Sequence, residues 1–359
     1  TTARLNSALR RLGSGWAIFV EAVRRPANDY PESDFPDPAS ALVERERAAQ
    51  FAEEGAHFES GYFLTLLWMP PAEDAARAES WLYEGKAEKG INARELLASF
   101  IDRTERLLRL IEGFVPEVAW LDDSETLTYL HSCISTKVQR VRVPETPMHL
   151  DALLADEPLT GGLEPMLGRA HLRTLTVVGF PSSTFPGLLD ELNRLAFAYR
   201  WSTRAVMLDK LLGKIRRQWF AKRKSVASIL KEVMTNEAST LLDSDASNKA
   251  ADADAALQEL GADHVGQAYV TATVTVWDED PALAAEKLRL VEKVIQGRDF
   301  SVIVEGMNAT EAWLGSLPGH VYANVRQPPI STLNLAHMIP ISAVWAGPER
   351  DEHFNAAPL

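Results

Sequence analysis

The segment from residue 267 to residue 277 constrains the fold most, because two kinds of side chain alternate along its whole length. Small or β-branched apolar residues occupy the even positions, and tyrosine and threonine occupy most of the odd ones: Tyr269, Thr271, Thr273 and Thr275. Such a pattern is typical of a β-strand with one face in the core and the other in water. The sequence therefore predicts a sheet that contains this strand, with one of its faces exposed.

Further strands and helices are predicted on both sides of this segment. Apolar or alternating runs predict strands at residues 16–23, 62–68, 115–121, 171–180, 198–208 and 300–304. The run 62–68 is apolar almost throughout, so it is predicted to be buried and to pair with 16–23. Helical spacing separates most of the strands. This order predicts the α+β class, with mixed or antiparallel sheets covered by helices and with ferredoxin-like elements.

The chain length predicts two lobes. A single hydrophobic core stops growing at roughly 250 to 300 residues, and this chain has 359. Pro158 and the pair Gly161-Gly162 mark the clearest boundary. We therefore predict an N-terminal α/β lobe at 1–155, a second α+β lobe at 156–345 with a long basic helix at 209–242, and a linker at 346–359.

Composition excludes several classes of protein. The net charge of −13 argues against a general nucleic-acid coat, because phosphate binding needs a cationic surface. A single cysteine, Cys133, excludes internal disulfides and suits a reducing compartment. Neither an apolar run long enough to span a bilayer nor a secretory signal is visible, so the sequence predicts a cytoplasmic protein.

No catalytic, cofactor-binding or metal-binding residue is predicted. A phosphate-binding loop needs two glycines at fixed spacing, a lysine and a following hydroxyl residue, and neither Gly85-Lys86 nor Gly213-Lys214 provides them. The histidines lack a metal-binding spacing. His131 and Cys133 are two positions apart, so they face different sides of a helix and do not form a catalytic pair.

One stretch of the acidic chain is strongly basic. Five cations lie close together near Trp219 and Phe220: Arg216, Arg217, Lys222, Arg223 and Lys224. They form either the solvated face of an amphipathic helix or a contact surface. Anionic lipid head groups, an acidic partner surface or nucleic acid would each suit such a surface, and the sequence does not choose among them.

Two motifs near the end of the chain resemble those of a known family. Residues 311–319 read E-A-W-L-G-S-L-P-G, and residues 331–336 read S-T-L-N-L-A. Both are similar to elements of the conjugative-transfer ATPases of the TrbE and VirB-four type, and residues 185–190 and 199–204 resemble the central region of the same family. The family-motif residues are Trp313, Leu317, Pro318, Gly319, Ser331, Thr332 and Asn334. We predict that their role is structural, with Trp313 buried and Pro318-Gly319 in a turn.

The resemblance implies a non-catalytic docking and assembly module. In the family, the domain that binds ATP and Mg would follow the stretch Ala346-Gly347-Pro348, and this sequence ends at Leu359. The implied partners are further copies of the parent ATPase and inner-membrane type IV secretion subunits, at the cytoplasmic face of the bacterial inner membrane. The alternative is a nucleic-acid-binding module that contacts transferred DNA through the basic helix. An independent enzyme would need convergent polar groups that the sequence does not show.

Overall fold

The computed structural model describes residues 1–27, 30, 35–53, 57–70, 93–115, 117–181, 183–208, 265–323 and 326–340. Its α-helices are α1 (Thr2–Leu9), α2 (Pro38–Glu53), α3 (Ala93–Glu112), α4 (Asp123–Ile134), α5 (Leu150–Leu154), α6 (Pro281–Gln296), α7 (Ala309–Gly315) and α8 (Thr332–Met338). Its strands are β1 (Trp16–Pro26), β2 (Phe58–Trp68), β3 (Leu159–Thr160), β4 (Met166–Leu167), β5 (Ala170–Gly179), β6 (Tyr199–Leu208), β7 (Gln267–Asp278), β8 (Ser301–Val304) and β9 (Pro329–Ser331).

The strands form one antiparallel sheet. Their order is β2-β1-β6-β7-β5-β4-β3, with β8 paired to β5 and β9 paired to β7. β1 and β2 pair along their whole length, from Trp16 opposite Trp68 to Pro26 opposite Phe58. The predicted α+β class and the predicted pairing of these two runs are therefore confirmed.

Four of the strands form the predicted ferredoxin-like element. Across the sheet they lie in the order β8-β5-β7-β6, so each pair of strands joined by a crossover has one antiparallel strand between its members. The first crossover contains the 3₁₀ helix Asp190–Arg194, and the second contains α6. This is the β-α-β-β-α-β arrangement, which β1 and β2 extend beyond β6.

One face of the sheet carries the main apolar core. The helix α6 begins after Asp280, whose side chain accepts a hydrogen bond from the Ala282 amide at 2.8 Å. Its buried side chains pack, together with α8, against buried residues of β1, β6 and β7: Ile18, Ala22, Trp201, Ala205, Val270, Val274, Leu288, Val291, Ile295 and Leu335. Each fully buried large side chain of this kind contributes about 1.5 to 3 kcal/mol to the free energy of unfolding.

The prediction that β7 has one exposed face is wrong. Thr271, Thr273 and Thr275 are all buried, because α7 packs over their side of the sheet. Threonine is tolerated there since its hydroxyl finds partners: the Thr275 and Thr174 hydroxyls are 3.0 Å apart, and that of Thr271 donates to the Arg326 carbonyl at 2.6 Å. The alternation therefore separates an apolar layer from a polar layer, and both lie inside the protein.

Two further predictions are corrected. Residues 117–122 form no strand, and Trp120 and Leu121 are exposed; Pro116 in this run also lacks the amide proton that a ladder needs. The run 62–68 is a strand, but it lies at the end of the sheet and most of its side chains are only partly buried. Apolar content alone does not distinguish an edge strand from a central one.

The domain prediction is not decided by these contacts. Strands from both sides of the predicted boundary at residues 155 and 156 belong to the same sheet, and the division into 1–155 and 156–345 stays a prediction. The predicted basic helix 209–242 and the predicted linker 346–359 lie outside the described residues. Within the described ranges, no helix has both the length and the apolar character that a bilayer span requires.

Candidate functional site

The second face of the sheet carries charged side chains that are sealed from solvent. Glu21 on β1 lies opposite Ser202 on β6, and Arg200 and Arg204 are two positions to either side of Ser202. Because side chains alternate along a strand, all four share one face. Glu21, Arg200 and Arg204 are 0%, 4% and 1% exposed. Buried charges are costly unless they are paired and hydrogen-bonded, so their partners decide what this face does.

Glu21 joins three elements of the fold. Its Oε1 pairs with Nη2 of Arg200, which links β1 to β6. Its Oε2 accepts a hydrogen bond from the Tyr129 hydroxyl at 2.5 Å and a weaker one from the Cys133 thiol at 3.6 Å, both from α4. The Tyr129 ring also stacks on Phe63 of β2, with 4.2 Å between the ring centroids. The carboxylate therefore fixes α4 on the sheet.

The pKa shifts show which groups keep their protons. Burial, followed by the nearby Glu21 carboxylate, raises the pKa of the Tyr129 hydroxyl far above its usual range. Burial also raises the pKa of the Cys133 thiol, and Arg200, which opposes the rise, does not cancel it. Both groups therefore stay protonated at neutral pH and act as donors. Since the thiolate is the reactive form of cysteine, Cys133 is a structural donor and not a nucleophile.

The two buried arginines remain charged. Burial acts to lower the pKa of Arg200, but the attraction of Glu21 outweighs it and the pKa is raised. Burial lowers the pKa of Arg204 to about 10, which still leaves the guanidinium protonated at neutral pH. Each arginine therefore offers a full set of charge-assisted donors to whatever covers this face.

Those donors hold residues 313–323, here called the motif segment, against the sheet. Arg200 donates through Nη1 to the Ser316 hydroxyl at 3.1 Å and through Nη2 to the Ser316 carbonyl. The Ser202 hydroxyl donates to the same carbonyl at 2.9 Å. Ser316 in turn donates to the Trp313 carbonyl at 2.6 Å, which closes the end of α7. The start of the motif segment is therefore fixed from two sides.

Arg204 holds the second half of the motif segment. Its Nη1 donates to the carbonyls of His320 at 3.2 Å and Ala323 at 2.8 Å, and its Nη2 donates to the Thr271 hydroxyl at 3.2 Å. Between the two arginine contacts the chain turns at Gly319, whose φ of +81° favours glycine. The two arginines thus bind backbone carbonyls on both sides of one turn.

The structure places the family-motif residues in structural positions. Trp313 is 5% exposed and packs with Leu167 and Leu172, and Leu317 is partly buried in the same cluster. Pro318 and Gly319 lie in a turn. The burial of Trp313 and the turn are therefore as predicted from the sequence.

The Ser331-Thr332-x-Asn334 motif starts α8. The Ser331 hydroxyl accepts a hydrogen bond from the Asn334 amide at 3.2 Å and so caps the helix. Thr332 is fully buried; it donates to Asn6 of α1 at 2.5 Å and accepts from the Gly266 amide at 2.9 Å. Its hydroxyl therefore joins α8 to α1 and to the start of β7.

Two other sets of predicted residues have different outcomes. The basic residues Arg216, Arg217, Lys222, Arg223 and Lys224 lie outside the described residues. His131 and Cys133 are both buried but face different partners, because His131 Nε2 is 3.3 Å from Asp156 and the thiol is directed at Glu21. Their separation on the helix is as predicted.

Sequence reasoning missed Glu21, Arg200 and Arg204 as the residues that hold the motif segment. The signal was present, because each is a charged residue inside a run that is otherwise strand-forming. Arg200 and Arg204 are also four positions apart, which places them on one face of a strand. What the sequence could not show is that Glu21 becomes their neighbour, since it is 179 residues away from Arg200.

The arrangement suits anchoring better than chemistry. The charged groups of this face are directed at one another and at backbone carbonyls. Among the residues that the structure describes, no group of three or more histidine, cysteine or acidic side chains is placed to hold a metal ion. The face therefore serves as a rigid base that positions the motif segment.

Comparison with known proteins adds a family context. A family model described as type IV secretion system ATPase VirB4/TrbE, N-terminal domain, matches residues 1–76. A second model, described as CagE, TrbE, VirB family, component of type IV transporter system, matches residues 117–326. The second match includes the buried charged face on β6 and the motif segment.

Curated relatives extend the similarity over nearly the whole chain. The conjugal transfer protein TrbE of Rhizobium radiobacter is 35% identical over 368 residues, which cover 96% of this chain and 44% of that protein. Two probable conjugal transfer proteins TrbE of Sinorhizobium fredii (strain NBRC 101917 / NGR234) also match. One is 33% identical over 62% of this chain and 34% of its own length, and the other is 41% identical over 24% and 59%. The chain thus spans less than half the length of the Rhizobium radiobacter relative.

Proposed function

Because the chain belongs to the CagE, TrbE, VirB family of type IV transporter components, we propose that it acts as the non-catalytic docking and assembly module of a conjugative-transfer ATPase. The match of residues 1–76 to an ATPase N-terminal domain supports this proposal. In it, ATP and Mg²⁺ are bound by a different region of the whole protein, and the residues described above provide structure.

The observation that carries the proposal is the use of Arg200 and Arg204. In an active site, buried cations are kept available for substrate. Here both guanidiniums donate to carbonyls of the motif segment, and Arg200 is in addition neutralised by Glu21. A face whose charges are satisfied internally gives a rigid platform, and rigid platforms present surfaces to partners with little loss of conformational entropy.

The proposed partners follow from the family context. The module binds further copies of the parent ATPase and inner-membrane subunits of the secretion machine, at the cytoplasmic face of the inner membrane. The test is to produce the chain in donor cells that carry a complete conjugative system. A docking module should co-purify with secretion subunits and should lower the transfer frequency by occupying their binding sites.

The matched control is the Trp313→Ala variant, in which the buried anchor of the motif segment is lost. It should interfere less than the parent chain at equal expression. A chain that co-purifies with no secretion subunit and leaves transfer unchanged would contradict the docking role.

A second experiment addresses the non-catalytic aspect of the proposal. Calorimetric titration of the chain with ATP and Mg²⁺ should show no saturable binding, because the phosphate-binding loop motif is missing from the sequence. Saturation at micromolar ATP would show that the chain has its own nucleotide site.

A further inference from the structure

We propose that the cleft between α1 and the end of α3 is a binding site for a phosphoryl anion. The cleft has a volume of about 410 Å³, which is within the range of small-molecule sites. The side chains that line it are Ala3, Arg4, Ser7, Ala8, Arg11, Arg109 and Leu110, with Gly113 at its end. Of these described residues, three carry a guanidinium and none carries a carboxylate.

The spacing along α1 explains why these groups share the cleft. Arg4, Ser7 and Arg11 are three and four positions apart, so helical geometry places them in one row. The helix α1 ends at Leu9, but the turn continues, because the Arg11 amide donates to the Ala8 carbonyl at 3.2 Å. Arg109 approaches from the last turn of α3. Two elements thus contribute cations to one cleft.

The three arginines are available for a ligand. All three are exposed, and within the described residues the Arg11 guanidinium has no hydrogen-bond or ion-pair partner. Arg4 uses Nη1 to donate to the Gly113 carbonyl at 2.9 Å, which fixes its side chain across the cleft. Arg109 lies 3.6 Å from Glu105, and both side chains are more than half exposed, so solvent weakens that pair.

The chemistry of the lining favours phosphate over carboxylate. Three guanidiniums and the Ser7 hydroxyl offer more donors than the two oxygens of a carboxylate accept, whereas a phosphoryl group offers three oxygens and up to two negative charges. The floor contains Ala3, Ala8 and Gly113, whose small size lets a ligand approach the backbone. In a chain with a net charge of −13, such a cleft is a local exception that attracts anions.

The phosphoryl group could come from an anionic lipid head group or from a soluble phosphate, and the experiment separates the two. Thermal unfolding of the whole chain is followed in inorganic phosphate and in chloride at equal ionic strength, and flotation is measured with vesicles of phosphatidylcholine with and without phosphatidylglycerol. We expect phosphate to raise the unfolding temperature more than chloride does. Flotation that requires phosphatidylglycerol identifies a lipid ligand, and a phosphate response without flotation identifies a soluble one.

The variants test the named residues. The double variant R11Q/R109Q should weaken phosphate binding about tenfold or more, because each charge-assisted hydrogen bond lost is worth a substantial part of that factor. The matched control is R106Q, on the same helix but outside the cleft and paired with Asp102. Both variants alter exposed side chains, so unfolding in chloride should be unchanged. The proposal is overturned if phosphate acts no differently from chloride, if R106Q weakens binding as much as R11Q/R109Q, or if polyglutamate binds as tightly as phosphate.

Discussion

Arg200 on β6 forms an ion pair with Glu21 on β1 beneath the motif segment, and the two side chains are 4% and 0% exposed. The same guanidinium donates to the hydroxyl and the carbonyl of Ser316. One arginine therefore joins two neighbouring strands to the turn that follows α7. The consequence is that the sheet and the motif segment should lose stability together when this residue is changed.

The Arg200→Ala variant should be destabilised by about 3 to 5 kcal/mol, because it leaves the Glu21 carboxylate buried without its cation. Urea unfolding at neutral pH measures this change. The control is Arg25→Ala, which breaks the exposed Arg25–Glu59 pair and should cost less than about 1 kcal/mol. Equal losses in the two variants would mean that the buried pair contributes no more than a surface pair.

The Trp313→Ala variant should lower the free energy of unfolding by about 3 to 5 kcal/mol, the range for truncating a large buried aromatic side chain. Trp313 packs with Leu167 and Leu172, so its removal leaves a cavity between α7 and the sheet. Trp120, which is 56% exposed, provides the control: Trp120→Ala should cost about 0.5 kcal/mol or less. A loss below about 1 kcal/mol for Trp313→Ala would contradict the anchoring role.

The sequence predicted the regular elements well where local pattern and packing agree. The Asp280-Pro281 helix start is an example, because capping by Asp280 is a local interaction that three residues specify. The strand at 267–277 was also predicted, but its polar face was assigned to water. Only the complete fold shows that Arg204 and the motif segment cover Thr271.

The candidate site was only half visible in the sequence. Trp313 and Gly319 stand in a motif, so they could be selected in advance, and the structure places them in a buried anchor and a turn. Glu21 and Arg200 carry no motif of their own and are 179 residues apart. Their pairing depends on the register between β1 and β6, which no local pattern specifies.

The Gly315→Ala variant should displace the motif segment. A Cβ atom at this position would collide with the Ala323 carbonyl oxygen, which accepts from Arg204. Overpacking of this kind costs about 1 to 3 kcal/mol. At Gly306 a Cβ would meet no atom within 4 Å, so Gly306→Ala is the control and should be close to neutral. Urea midpoints of the two variants should therefore differ clearly, and identical midpoints would show that the segment yields without cost.

Charge reversal of the basic residues tests the contact surface predicted from the sequence. Changing Arg216, Arg217, Arg223 and Lys224 together to glutamate should weaken self-association or membrane association, because a cationic strip in an acidic protein attracts acidic surfaces. Sedimentation and vesicle flotation at low and high salt measure the effect. If the reversed protein assembles and floats like the parent at both salts, the strip is a solvated helix face.

The stability of the protein should fall at alkaline pH because of Cys133 and Tyr129. Burial raises the pKa of both groups above the unfolded values of about 8.5 and about 10, so at high pH the unfolded chain releases protons that the folded chain keeps. Their contribution is complete below about pH 8.5 and is lost as the pH rises further; Tyr199, whose pKa burial also raises, acts in the same direction. Between pH 7.5 and pH 10.5 the free energy of unfolding should drop by about 3 kcal/mol, most of it from the thiol. Urea unfolding at the two pH values checks this, and Cys133→Ala should show a smaller drop than the parent. An equal drop in both proteins would mean that the thiol ionises as readily in the folded chain as in the unfolded one.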